Sequence, residues 1–333
     1  MVFSSSVFLF FFLPVVFIGN FLIFKKREQK NMFLTIMSLL FYAWGEPWFV
    51  FVMLFSIAVN WLCGLAIDKR ANEPRAKKLV LTLGIIFNLA LIGVFKYLMM
   101  LLNTANSLFG LSIYVPQIIL PIGISFFTFQ ALSYIIDVYR GHGEAQKSFM
   151  HVCLYISFFP QLIAGPIVRY QTIATEISDR AETLADFEEG ARRFIVGLAK
   201  KVLVANNLAL LADGAFAMTI AEISFASSWL GAIAYLWQVY FDFSGYSDMA
   251  IGLGRMFGFH FLENFDFPMV SRSITEFWRR WHISLGTWFR DYLFFPMGGS
   301  RVKSKFRAIF NMFVVWSLTG LWHGADWKFA LWG

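Results

Sequence analysis

Long apolar runs recur from one end of this chain to the other, and they leave few folds open. About 20 apolar residues in helical form span the roughly 30 Å hydrocarbon layer of a bilayer. Inside that layer no water can satisfy a free backbone N–H or C=O, so a spanning segment must close its own hydrogen bonds. The sequence therefore reads as an all-α, polytopic integral membrane protein. Composition agrees: 58% of residues are hydrophobic and 15% charged, where a soluble domain is about half apolar and a quarter charged. Phe supplies 41 of the 333 residues, which suits lipid-facing and tightly packed helical surfaces. The length leaves room for about eight or nine apolar segments. With no soluble domain or low-complexity linker in view, residues 1–333 read as a single membrane domain.

Charge gives the expected orientation, because short loops rich in Lys and Arg stay in the cytoplasm. Residues 25–30 (KKREQK) carry four basic groups and one acid; residues 68–78 carry five and two. Both are expected on the cytoplasmic side, with the runs 31–44 and 49–67 forming a hairpin between them. The N-terminal run has its basic cluster after it and no small-residue cleavage site, so residues 2–24 read as a retained first span rather than a signal peptide. The run 79–102 crosses outward, the uncharged stretch 103–116 forms an outer loop, and 117–138 returns. Residues 149–168 contain Pro160 and Gly165-Pro166, which break a helix midway. They read as a broken or re-entrant segment lining a cavity. A helix is expected from near Phe187, and the runs 202–221 and 228–251 form a second hairpin. Residues 252–308 hold nine Lys/Arg and four acids. They are expected at the cytoplasmic interface as short amphipathic helices. The run 309–331 re-enters the bilayer.

Cys63 and Cys153 lie within apolar runs and read as small buried hydrophobes. No Cys/His spacing suggests a metal, and no nucleotide-binding loop, nucleophile elbow or nucleic-acid motif is present. Of the five histidines, His142 sits in a Gly-rich turn and reads as exposed. His151 and His260 read as structural. His323, in SLTGLWHGADW, is different. It lies about fourteen residues into the last apolar run, roughly 20 Å of helical path at 1.5 Å per residue. An ionisable side chain so placed is costly and is a functional candidate by default. A desolvated imidazole is expected to be neutral near pH 7 and can take a proton from a hydroxyl or thiol. Gly320 and Gly324 are expected to leave space for a substrate. The competing reading is a hydrogen-bonded core histidine bridging two helices.

His282 stands in EFWRRWHISLGTWFRDYL among Trp278, Trp281 and Trp288. Arg279, Arg280 and Arg290 could form an interfacial belt. They could equally meet the phosphates of an anionic acyl carrier such as coenzyme A, since guanidinium groups pair with phosphate bidentately. A transporter with His323 on a proton path is a rival reading, though no internal repeat of the kind common in transporters is visible. A non-catalytic scaffold for an export complex is a third.

The blocks QLIAGPIVRY, YFDFSGYSDMAIGLGRMFGFHF, SRSITEFWRRWHISLGTWFRDYL, PMGGSR and GLWHGA together resemble the membrane-bound O-acyltransferase family, in particular its bacterial alginate O-acetyltransferase branch. The likeness runs essentially from Met1 to Gly333. It implies a ring of tilted transmembrane and re-entrant helices around a central tunnel. It implies that His323 is catalytic and that His282 lies near the tunnel. It also implies transfer of an acyl group from a thioester donor, with acetyl-CoA the expected donor substrate and no bound cofactor. Periplasmic acetyltransferase and export partners of a polysaccharide machinery are implied, with membrane lipids around the chain and no nucleic acid. The implied location is the bacterial inner membrane, multi-pass. Family members continue with further spans beyond the KFALWG end, so a C-terminal truncation is expected. Other envelope polymers (peptidoglycan, cellulose, a teichoic acid) are alternative acceptors.

Overall fold

The computed structural model describes all 333 residues, Met1–Gly333, and every regular element is helical. In chain order the main helices are α1 (Phe8–Ile23), α2 (Arg27–Ala43), α3 (Phe49–Lys69), α4 (Pro74–Phe109), α5 (Ile124–Arg140), α6 (Phe149–Ser157), α7 (Phe159–Leu162) and α8 (Tyr170–Ser178). They are followed by α9 (Leu184–Phe216), α10 (Phe225–Met256), α11 (Ile274–Arg280), α12 (Ile283–Phe289), α13 (Lys305–His323) and α14 (Trp327–Trp332). Three of them, α3, α4 and α9, are long and apolar enough to cross a membrane. The outward surface is rich in large apolar side chains, including Phe10, Phe11, Leu22, Leu210 and Ile220. Polar side chains such as Asn20, Asn31, Asn60, Asn88 and Gln130 are buried instead. Lipid outside and polar contacts inside is the distribution a bilayer selects.

Most of the apolar runs are helical, and where the helix bounds differ from the expected ones the causes are local. The uncharged stretch 103–116 is not all loop: α4 runs on to Phe109 and stops at Gly110, whose φ of 62° is the left-handed helix stop that glycine tolerates best. α9 starts at Leu184, ahead of Phe187, because Thr183 accepts a hydrogen bond from the Asp186 N–H at 3.0 Å and caps the first turn. The segment 149–168 breaks at Phe158, whose backbone leaves the helical region just before Pro160, and it is almost wholly buried. Residues 252–308 form short helices, as their polarity requires. The last run divides into α13 and α14, because Gly324 is extended and Asp326 caps a new helix through the Lys328 N–H.

The chain packs as two compact units. The first comprises Met1–Gly45, Phe158–Val168 and Thr172–Ile283; the second comprises Glu46–Ser157, Arg169–Gln171 and Ser284–Gly333. In the first, α9 and α10 lie against each other at backbone distance. A methyl group on Gly190 would sit 2.6 Å from the Gly252 carbonyl oxygen, and one on Gly197 would sit 2.6 Å from that of Gly245. The two pairs are one heptad apart on each helix and run antiparallel. Small residues at such crossings replace the hydrophobic drive that lipid cannot supply. Lys200, in a π-helical turn of α9, reaches Asp248 of α10 at 2.6 Å.

A polar clamp fixes the helix ends of the same unit. Glu182 pairs with Arg27 at 2.7 Å, with Lys30, and with Arg180 at 3.5 Å. Arg180 is buried, donates to Asn31 Oδ1 at 2.7 Å and to the Phe257 carbonyl at 2.9 Å, and lies over the Phe259 ring.

In the second unit α5 is the buried centre. Gly64 of α3 abuts the Tyr134 side chain, and Gly84 of α4 abuts Ile135. Asn60 and Asn88 join α3 to α4 by a reciprocal amide pair of 3.1 and 2.7 Å.

The Glu182 clamp gives a pH-dependent prediction. Burial alone would raise the Glu182 carboxyl, but hydrogen bonds from Lys30 and Arg27 outweigh it and hold it below the ordinary glutamate value. A group depressed on folding contributes stability above its unfolded pKa, about 4.3, and loses it as pH falls through the folded value. Thermal stability in detergent is expected to decline from about pH 5 downward. Glu182→Gln should flatten that acid limb and cost roughly 3 kcal/mol at neutral pH, because buried Arg180 loses its counter-ion. A wild-type acid limb in Glu182→Gln would show that the clamp does not titrate.

Candidate acyl-transfer site

His323 is the last residue of α13, so its surroundings depend on how that helix ends. The final carbonyls of a helix have no intrahelical donor. Here Tyr97 Oη donates to the Leu321 carbonyl at 2.8 Å, and Lys96 Nζ donates to the Trp322 carbonyl and to Ser125 Oγ at 3.5 Å. Lys96 and Tyr97 sit in a π-helical turn of α4, Gly93–Tyr97. A cation at a helix C-terminus also meets the negative end of the helix dipole.

The His323 ring lies edge-on to Trp322 at 4.8 Å and to Trp332 of α14 at 5.2 Å. Trp322 packs in turn against Phe126 at 5.6 Å and Phe129 of α5 at 6.4 Å. Phe129 stacks on Trp288 at 3.9 Å with nearly parallel planes, and Trp288 Nε1 donates to the Phe129 carbonyl at 3.0 Å. A continuous aromatic ladder thus supports the imidazole from α12 through α5 to α13. Trp288, which the sequence groups with His282, belongs to the His323 side of the fold.

A pocket of about 320 Å³ opens beside the ring, lined by Lys96, Leu120 through Phe126, Trp322 and His323. His323 is exposed at its rim, not buried in mid-helix as its place in the apolar run suggests. The glycines do not provide the opening either. A methyl group on Gly320 would sit 2.2 Å from the Phe329 carbonyl oxygen, and one on Gly324 would sit 2.2 Å from the Phe329 ring. They let α14 fold back onto α13, and the pocket lies on the Lys96–Ser125 side.

His282 occupies the joint between α11 and α12 in the first unit, and it is 4% exposed. Its φ of 44° is a left-handed conformation unusual for a residue with a side chain. The flanking backbone holds it there: the Asp266 N–H donates to the Arg280 carbonyl and the Ile283 N–H to the Asn264 carbonyl, both at 2.9 Å. Asn264 is itself tied to Ser247 at 3.0 Å. The imidazole lies edge-on to Phe243 at 4.6 Å. Backbone strain retained in this way is a mark of functional positions.

The three arginines are not gathered into one cluster. Arg279 is exposed on α11. Arg280 pairs with Glu276 at 3.0 Å and Asp266 at 3.4 Å. Arg290, in the second unit, pairs with Asp291 at 2.8 Å and lies over Phe295. Such partly exposed pairs are worth about 0–1 kcal/mol, so a phosphate could displace the carboxylates.

Sequence reasoning passed over two features. One is Lys96, whose only signal was a single ammonium inside the apolar run 79–102. The other is a cavity of about 540 Å³ in the second unit, lined among others by Asp137, Arg140, His142, Arg169, Asp291 and Tyr292. Tyr292 Oη donates to Asp137 at 2.8 Å, Arg169 meets Asp291 at 2.6 Å, and both Arg140 and Arg169 lie over the Tyr292 ring. Burial would raise the Asp291 carboxyl, yet hydrogen bonds from Arg290 and Arg169 hold it below the usual range. His260, read as structural, is exposed and meets Glu176 at 2.8 Å.

Residues 144–333 match the family model of the membrane-bound O-acyltransferases, and this stretch contains both His282 and His323. The chain belongs to the membrane-bound O-acyltransferase family. Over its whole length it is 46% identical to the probable alginate O-acetylase AlgI of Pseudomonas aeruginosa and 36% identical to the peptidoglycan O-acetyltransferase of Helicobacter pylori. It covers 64% of the former protein and 68% of the latter. Over 64% of this chain it is 29% identical to the teichoic acid D-alanyltransferase of Bacillus subtilis, covering 56% of that protein. The chain thus spans about two thirds of the length of the alginate O-acetylases it matches.

Gly320→Ala tests the packing that frames the site. The added methyl must push the Phe329 backbone away, which is expected to cost about 1–3 kcal/mol. Limited proteolysis should then cut near α14 sooner than in the wild type. Unchanged cleavage would mean that α14 does not dock on α13 through this glycine.

Proposed function

We propose that this chain is an O-acetyltransferase that moves an acetyl group from a cytoplasmic thioester donor, acetyl-CoA, across the inner membrane toward an exported polysaccharide, alginate. The observation that carries the reading is the 46% identity, along the entire chain, with an alginate O-acetylase. The site supports it chemically. A neutral imidazole at the rim of a pocket can accept the proton of an acceptor hydroxyl as its oxygen attacks the thioester carbonyl carbon. The same proton then leaves with the departing thiolate, so the histidine ends as it began.

In the first unit, exposed Arg279 and an Arg280 released from Glu276 and Asp266 would offer guanidinium groups to donor phosphates; in the second, an Arg290 released from Asp291 would offer one. His282, buried and held in a constrained backbone of the first unit, is the second candidate residue. The protein is a multi-pass span of the inner membrane, and it works with periplasmic acetyltransferase and export partners.

In a deletion strain complemented with the full-length gene, mass analysis of the exopolysaccharide should show acetyl esters. His323→Ala should lower them at least about 10²-fold, the usual worth of a general base, while the protein still accumulates in the membrane. Retained acetylation in that variant would remove the role given to His323. The 36% whole-chain identity with a peptidoglycan O-acetyltransferase favours a second acceptor. Acetyl loss from muropeptides, with the exopolysaccharide untouched, would select it.

A further inference from the structure

Lys96 carries more than a helix cap requires. Its ammonium lies in the apolar helix α4 with no carboxylate partner, and an unpaired charge in such a segment is expensive. The turn that holds it is π-helical, a local irregularity often found at functional positions. Tyr97, the next residue, already satisfies the Leu321 carbonyl with a neutral hydroxyl. A second neutral donor would therefore have sufficed for Trp322. Lys96 has three N–H donors. One goes to the Trp322 carbonyl and one to Ser125 Oγ, and the side chain lines the same pocket as His323.

We propose that Lys96 is a catalytic residue whose ammonium donates a hydrogen bond to the thioester carbonyl oxygen as that oxygen becomes an oxyanion. The inference rests on the acetyl-transfer reading given above. As the acceptor oxygen bonds to the carbonyl carbon, its proton passes to the His323 imidazole and the C=O π pair moves onto the oxygen. Lys96 stabilises that charge without giving up its proton. Collapse restores the carbonyl, breaks the C–S bond, and returns the proton from His323 to the thiolate. A fixed donor of this kind contributes about 10²–10³-fold in rate. The acceptor and donor each supply what the step consumes, and no further reactant is needed.

Four variants of the full-length protein in the deletion strain test this, read as exopolysaccharide acetyl content at matched membrane accumulation. Lys96→Met, which keeps the length and loses the charge, is expected to fall about 10²-fold or more. Lys96→Arg should recover at least about a tenth of wild-type acetylation, since a cation with several donors remains. Tyr97→Phe, which removes a cap and no charge, should stay within about fivefold, the worth of one neutral hydrogen bond. His323→Ala reports on the underlying reading.

Near-wild-type acetylation in Lys96→Met beside an inactive His323→Ala overturns the inference and leaves the reading intact. Equal losses in Lys96→Met and Tyr97→Phe also overturn it, because Lys96 would then be a cap alone. An active His323→Ala removes both. If Lys96→Met fails to accumulate, Lys96→Gln decides. It keeps an N–H for the Trp322 carbonyl without the charge, and wild-type acetylation in it overturns the inference.

Discussion

A helix that ends inside an apolar protein must find donors for its last carbonyls, and here that requirement builds the site. α13 stops at His323, and the carbonyls of Leu321 and Trp322 are taken by Tyr97 and Lys96. The two donors are neighbours in one turn of α4, so a single local irregularity serves two acceptors. The same contact brings a cation beside an imidazole and leaves a pocket next to both. Without it the helix end would need water, the aromatic ladder through Trp322 and Phe129 would lose its anchor, and the ring would have no fixed position.

The two histidines illustrate two ways of fixing a side chain. His323 is held by rings and by the capped end of its own helix. His282 is held by its backbone, in a conformation that costs on the order of 1–3 kcal/mol and persists because Asp266 and Ile283 are hydrogen-bonded on either side of it. Each lies in its own compact unit.

Much of this was legible in the sequence. Most of the apolar runs are helical and the chain breaks near Pro160, because length and proline act locally. The GLWHGA and RRWHIS blocks marked the two histidines. What escaped depends on which side chains meet. A lone lysine in an apolar run says nothing about the carbonyl it will find. Gly320 and Gly324 suggested space, yet that space is filled by Phe329, a residue further along the same run. The split of that run at Gly324 moved His323 from the middle of a presumed span to the end of a helix. Arg280 and Arg290 looked free as a basic patch, but nearby carboxylates hold them.

The paired glycines of α9 and α10 carry a consequence for assembly. Gly190 meets Gly252 and Gly197 meets Gly245, each without room for a methyl group. A slip of one position would drive Ala191 or Ile251 into the partner's main chain. The two notches therefore fix the alignment of the hairpin by shape, independently of the ion pair between Lys200 and Asp248.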